Sequence, residues 1–164
     1  MSDIEPARFH PVACVLAILF PGAGHMYHGE RARGLLAAGG ILGLFLGGLL
    51  LGGLTIVDSR EERMWFIPQA CVGPMAFAID YYHQNAVKVR DIDPMGRPIL
   101  RDPYPNEGRG PDAMPIPNAT PPVRKAVTKM SELGTLSAAL AGMVNLIVII
   151  DAGWPSRRRQ EGGA

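Results

Sequence analysis

The sequence is short of charge. Asp, Glu, Lys and Arg make up 19% of its 164 residues and the net charge is +1, so it has no broad basic surface for nucleic acid. It has only two cysteines, Cys14 and Cys71, too few for a disulfide framework or a four-cysteine zinc site. The usual catalytic signatures are missing too. There is no GxSxG, no Walker loop, no GxGxxG after a strand and no HExxH. No nucleophile or acid–base pair can be named, so the chain reads as non-enzymatic and implies no cofactor.

What it has instead is long apolar runs. Gly34–Val57 carries no charge and a single hydroxyl, on Thr55. At about 1.5 Å per residue such a run is long enough to cross the roughly 30 Å hydrocarbon layer. Three shorter apolar segments accompany it: Pro11–Tyr27, Met64–Tyr82 and Gly134–Ile150. The expected fold is all-α, an integral membrane helical bundle of about four transmembrane segments. The first segment is short and kinked at Pro21-Gly22, with a re-entrant or interfacial helix as its alternative. Four parts follow. Residues 1–82 form a three-segment membrane part, and 83–121 a proline-rich, poorly ordered loop. Residues 122–154 form an amphipathic turn plus the last span, and 155–164 a basic disordered tail.

Alternating spans fix which groups share a face. Trp65 and Trp154 fall at one interface, and Tyr27, Tyr81 and Tyr82 at the other. Asp151 falls beside Asp58–Arg63, where it can pair with Arg60 or Arg63. The Lys/Arg placement leans toward a cytoplasmic long polar stretch. Prolines are dense in that stretch, which argues against strand pairing and for a solvated spacer. After it, Val123, Val127, Met130 and Leu133 recur near one helical face.

Small residues mark the packing surfaces. Gly39, Gly43 and Gly47 lie on one stripe, and Gly48 and Gly52 repeat the spacing beside it. In lipid, close backbone approach supplies the attraction between helices. The stripe is expected to pack first within the chain, with homo-oligomerisation as its functional reading. Gly134, Ala138, Ala141 and Asn145 form a softer stripe that should face the bundle, leaving Leu136, Leu140, Met143 and Ile147 toward lipid. Asn145 is an intramembrane amide that needs a partner, and Gln69, at similar depth, is the expected one. Pro68 and Pro74 should bend the third segment. His25, His28 and His83, with nearby carboxylates, form a metal-binding alternative, against which interfacial hydrogen bonding is the simpler reading.

The run Pro21-Gly22-Ala23-Gly24-His25-Met26-Tyr27-His28-Gly29-Glu30, with Arg33-Gly34-Leu35, resembles the PGxGHxYxG…(K/R)GL loop of small bacterial membrane proteins built on a two-span hairpin. It is more distantly similar to the transmembrane two-helix hairpin domain. Glu132-Leu133-Gly134-Thr135-Leu136, the Ala141–Leu146 block and Asp151-Ala152 narrow the likeness to an uncharacterised planctomycete-type multi-pass family, a domain of unknown function. His28 departs from the apolar residue usual there. The resemblance implies a multi-pass protein of the bacterial inner membrane and assigns no chemistry.

The functional expectation is an accessory or scaffold protein with membrane lipid as its surroundings. A second copy, or another membrane protein, would dock on the glycine stripe. A small transporter or channel subunit and a membrane metal-binding protein are the alternatives.

Overall fold

A computed structural model describes residues 9–123, 126 and 128–154, without the side chain of Thr128. The tail 155–164 and Val127 of the amphipathic turn lie outside the described residues. The chain is mostly helical. Among the described residues six α-helices run α1 (Pro11–Leu19), α2 (Ala23–Tyr27), α3 (Arg31–Gly52), α4 (Arg63–Ala70), α5 (Pro74–Tyr82) and α6 (Thr128–Gly153). Four short strands stand between α5 and α6: β1 (Val89–Ile92), β2 (Pro98–Arg101), β3 (Glu107–Arg109) and β4 (Pro115–Pro117).

Among the described residues two helices are long and apolar enough to cross a membrane: α3, and α6 from Lys129 onward. Their pairing follows from residue size. Helix α3 buries Gly34, Ala38, Ile41, Phe45, Gly48 and Gly52, alternating steps of four and three that give one seam along a helix. Gly134 of α6 meets that seam where a Cβ would stand 2.6 Å from the Gly48 carbonyl oxygen and 2.7 Å from the Gly52 Cα. The two backbones therefore touch, and dispersion acts at full strength there. Gly52 lies by Ser131 and Gly134 while Gly48 reaches Ala138, so the helices are antiparallel. Leu136, Leu140, Met143 and Ile147 are exposed on the far side of α6. The main core is built of Ile41, Phe45, Ile56, Val57, Val72, Ala76, Ala138 and Ala141.

The other two apolar segments are not through-helices, which corrects the four-span expectation. Helix α1 has nine residues, roughly 13 Å and less than half the bilayer core. It starts where α6 ends: the His10 amide donates to the Gly153 carbonyl at 2.9 Å, and Phe9 packs on Trp154. The chain turns at Pro21-Gly22, with Gly22 at φ 81°, a conformation that disfavours a side chain. It then returns to the same end, where Gly24 packs on Ala152 and His28 Nε2 donates to the Ala152 carbonyl. The segment therefore turns back on itself instead of running through.

Segment three behaves the same way from the opposite end. Helices α4 and α5 have eight and nine residues and break at Gly73-Pro74, with Gly73 at φ 109°. Asp58 before them and Gln84 after them are hydrogen-bonded, so this pair also leaves where it entered. The tips of the two broken pairs meet: a Cβ on Gly73 would stand 2.5 Å from the Ile18 carbonyl oxygen. Each half of the chain thus runs as two short helices followed by one long helix, in opposite senses.

Between α5 and α6 the all-α expectation fails. The stretch expected to be poorly ordered forms two antiparallel hairpins, β1 with β2 and β3 with β4. Prolines do not prevent this, because they sit at strand ends or in turns where no ladder donor is needed. Pro98 pairs with Ile92 at the end of its ladder, and Pro115 and Pro117 bound the three-residue β4. The Asp93 carboxylate accepts from the Met95 and Arg97 amides and closes the first turn. Ion pairs replace a large apolar core: Arg101 reaches Asp91 at 2.6 Å and Glu107 at 2.7 Å and stacks on Tyr104.

Candidate functional site

The densest polar chemistry lies where the hairpins meet the bundle. Asp58 ends the long apolar run. Its Oδ1 accepts from the Arg60 and Glu61 amides, an Asx-type turn within the α3–α4 connection. The same oxygen accepts from Gln84 Nε2 at 2.8 Å. Its Oδ2 stands 2.6 Å from Lys88 Nζ, which also donates to Glu61 Oε1 at 2.8 Å. Lys88 and His83 are fully buried and Asp58 is 3% exposed.

His83 ends α5, where a π-helical turn over His83–Val87 rotates the chain out of the helix. Its Nδ1 lies 3.2 Å from the Val57 carbonyl oxygen and its Nε2 2.9 Å from Asp102 Oδ1. Asp80, one turn earlier, accepts from the Ser59 amide and hydroxyl at 2.9 and 2.7 Å. Arg109 donates to the carbonyls of Lys88 and Asn85. Three separate pieces of chain are therefore sewn together: the α3–α4 connection, the end of α5 and the hairpins.

The charges in this cluster hold one another. Burial alone would raise Asp58, but the Lys88 ammonium and the two amides outweigh it and hold its carboxyl below the usual range. Burial would lower Lys88, but Asp58 and Glu61 outweigh that and raise it. Burial would lower His83 too, but Asp102, Asp58 and the Val57 carbonyl outweigh that and raise it. An arrangement of paired charges and hydrogen bonds of this kind fixes geometry.

The opposite end holds the motif residues. His25 Nε2 lies 3.0 Å from Asp151 Oδ2, and Tyr27 packs edge-on to His28. A Cβ on Gly34 would crowd the Gly22 carbonyl at 2.8 Å, so Pro21, Gly22 and Gly34 form one close backbone crossing. Gly29, at φ 83°, turns the chain into α3. Asp151 is thus at the other end of the bundle from Arg60 and Arg63, because neither broken segment crosses. For the same reason Trp154 shares an end with Tyr27, and Trp65 shares the other with Tyr81 and Tyr82, which corrects the two aromatic belts. His83 is likewise remote from His25 and His28. Among the described residues no group of three or more His, Cys, Asp or Glu is placed to hold a metal ion.

The two buried amides, Gln69 and Asn145, do not bond to each other as expected. Gln69 Nε2 donates to the Ile56 carbonyl at 3.1 Å, and Asn145 Nδ2 to the Cys71 carbonyl at 2.8 Å. Cys71 sits at the α4–α5 break, where helix carbonyls lose their intrahelical donors. Asn145 supplies one, while its Oδ1 and Gln69 Oε1 have no hydrogen-bond partner. The glycine stripe also departs from expectation. Gly39, Gly43 and Gly47 have nothing within 4 Å of where a Cβ would stand, so the chain does not pack on that face. Glu132 is exposed and, with Glu62, Trp65, Ser131 and Thr135, lines an open cleft of about 690 Å³.

Sequence reasoning missed Asp58, Lys88 and Asp102 as a unit. Lys88 between Val87 and Val89 was its one local signal, a lone cation in an apolar stretch. A family model described as a family of unknown function (DUF6677) matches residues 12–163. No curated protein and no solved structure matches the chain.

Proposed function

We propose, for this chain, which belongs to the family so matched, a role as a non-enzymatic scaffold of the membrane. In this reading α3 and α6 span the bilayer. The α1–α2 and α4–α5 pairs enter from opposite faces and turn back at mid-depth, and the hairpin module stands at one face. The bacterial inner membrane is the location proposed from the Pro21–Leu35 motif. The supporting observation is how the hairpins are attached. Lys88 is fully buried between Asp58 and Glu61, so the module is docked on the bundle rather than tethered to it. A docked module presents a fixed surface, which is what a scaffold needs.

Lipid covers the exposed apolar faces, and a second membrane helix is the proposed occupant of Gly39, Gly43 and Gly47. That stripe has the small-residue spacing that lets helices approach closely. Gly43→Leu is expected to abolish self-association or partner capture while leaving the monomer folded, read by crosslinking in membranes. The topology has its own test on a background lacking Cys14 and Cys71. Arg60→Cys and Asn106→Cys should label from one side and Arg31→Cys from the other. Labelling of Arg60→Cys and Asn106→Cys from opposite sides would overturn it.

A small transporter or channel subunit is the second reading, favoured by one observation. The two Gly/Pro breaks meet at mid-depth, in corresponding places of two inverted halves, near the buried amide of Asn145. Broken helices at the midplane are where transporters place binding sites. Solute flux from liposomes above an empty-vesicle control would choose this reading and end the scaffold one.

A further inference from the structure

Helix α1 ends in carbonyls that accept from no amide among the described residues. A carbonyl in an α-helix accepts from the amide four residues on. For Ala17 that residue is Pro21, which has no N–H. For Ile18 it is Gly22, whose amide does not reach it, and for Leu19 it is Ala23, which donates to Phe20 instead at 3.0 Å. These oxygens stand at the C-terminal end of α1, the negative end of its dipole. The break between α4 and α5 lies against them. A Cβ on Gly73 would be 2.5 Å from the Ile18 oxygen and 3.6 Å from the Leu19 oxygen.

Asn145 brings another acceptor to the same place. His10 bonds Gly153 and Cys14 bonds Ile149, a step of four in each helix, so one more step sets Ile18 level with Asn145. Asn145 Nδ2 donates to the Cys71 carbonyl at 2.8 Å, two residues before Gly73. That carbonyl can only accept, so the amide cannot be turned over. Oδ1 is thereby held beside the break, fully buried and without a partner. The break has no donor to return. The Cys71, Val72 and Gly73 amides go back to the Pro68, Gln69 and Ala70 carbonyls, and Pro74, which opens α5, has no N–H. A water molecule has two hydrogens to give and cannot serve three oxygens. None of these groups carries a charge, so their dipoles suit a monovalent cation rather than a divalent one.

We propose that the meeting point of the two breaks binds a dehydrated monovalent metal cation, sodium or potassium, through the Ile18 and Leu19 carbonyls and Asn145 Oδ1. Helix C-terminal ends and interrupted backbone are where such ions find oxygen ligands inside helical bundles. The proposal goes beyond both readings of the function. It needs only that the tips of the two broken pairs meet, and a bound ion would tie those tips together in a scaffold as well as in a transporter.

The test uses the full chain in lipid nanodiscs, exchanged into choline chloride and titrated with sodium or potassium chloride at constant ionic strength. One of the two metals should raise the thermal unfolding midpoint saturably, by about 5–10 °C at a hundredfold above half-saturation. The same metal should shift the side-chain amide resonances of Asn145, assigned by their loss in Asn145→Leu. Asn145→Leu should raise the half-saturating concentration by roughly tenfold or more, the worth of one lost ligand to a charge. Equal midpoints in all three salts, an Asn145 amide that neither metal moves, or an undiminished response in Asn145→Leu would each overturn the site. An Asn145 amide that exchanges magnetisation with water and ignores both metals would assign the place to water. If Asn145→Leu does not fold, the wild-type titrations decide alone, with the amide assigned through the Asn145 backbone. Solute flux is scored separately: metal binding without flux leaves the scaffold reading standing, and flux without metal binding overturns the site and leaves the transporter reading.

Discussion

Lys88→Met is expected to destabilise the folded chain by about 3–5 kcal/mol, the cost of breaking a buried ion pair from one side. Lys88 is fully buried and Asp58 is 3% exposed. Removing the ammonium leaves a buried carboxylate with amide donors alone. The aliphatic stem survives in methionine, so the loss reports the charge rather than the packing. Adding Asp58→Asn should recover part of it, because the orphaned charge goes too. Denaturant unfolding in detergent, read on the single and double variants, checks this. A loss below about 1 kcal/mol, the range of exposed pairs, would mean that water reaches the cluster.

The same cluster sets a pH window. Asp58 is depressed below its ordinary 3.8, so its contribution is complete above that value and is lost as pH falls through the folded value. His83 is raised above 6.5, so its contribution is complete below 6.5 and is lost as pH rises through the folded value. The hairpin module should be held most tightly between pH 3.8 and 6.5. A maximum of stability at alkaline pH would contradict it.

Gly73→Ala is the second large effect, and it separates two kinds of glycine in one chain. Gly73 has φ 109° and ψ −158°, a region essentially reserved for glycine that costs a side chain about 1–3 kcal/mol. The new Cβ would also stand 2.5 Å from the Ile18 carbonyl oxygen, where both sides of the contact are backbone and neither can rotate away. Strain and clash together are expected to abolish stable folding or separate the two broken helix pairs. Gly43→Ala meets nothing within 4 Å and should be neutral or gain up to about 1 kcal/mol in helix propensity. Parallel thermal unfolding of both variants is the check. Equal effects would mean that the tips do not meet at Gly73.

Much of the helical part was legible because long apolar runs obey one-dimensional rules. A run without charge such as Gly34–Val57 is long enough to form an extended apolar helix, and α3 occupies it as far as Gly52. Pro21-Gly22 and Pro74 mark where helices end or begin, whereas Pro68, expected to bend the same segment as Pro74, lies inside α4. The spacing of Gly134, Ala138, Ala141 and Asn145 picked out the buried side of α6, because a helix repeats its faces locally.

Where each break sends the chain was not legible. A kinked span and a re-entrant pair have the same composition, and only contacts such as Gly73 with Ile18 distinguish them. One mistaken crossing reverses every later assignment, which is why Asp151 and the aromatic belts were placed at the wrong end. The hairpins were hidden for a different reason. They are stabilised by Arg101 with Asp91 and Glu107, pairs between residues that no periodicity connects. Asp58, His83, Lys88 and Asp102 come from three connections far apart in sequence. The sequence by itself determined that the chain is helical where apolar, where it must bend and which faces are small enough to touch. The tertiary structure alone decided which ends share a face and which charges meet, because depth and polarity are local properties and partnership is not.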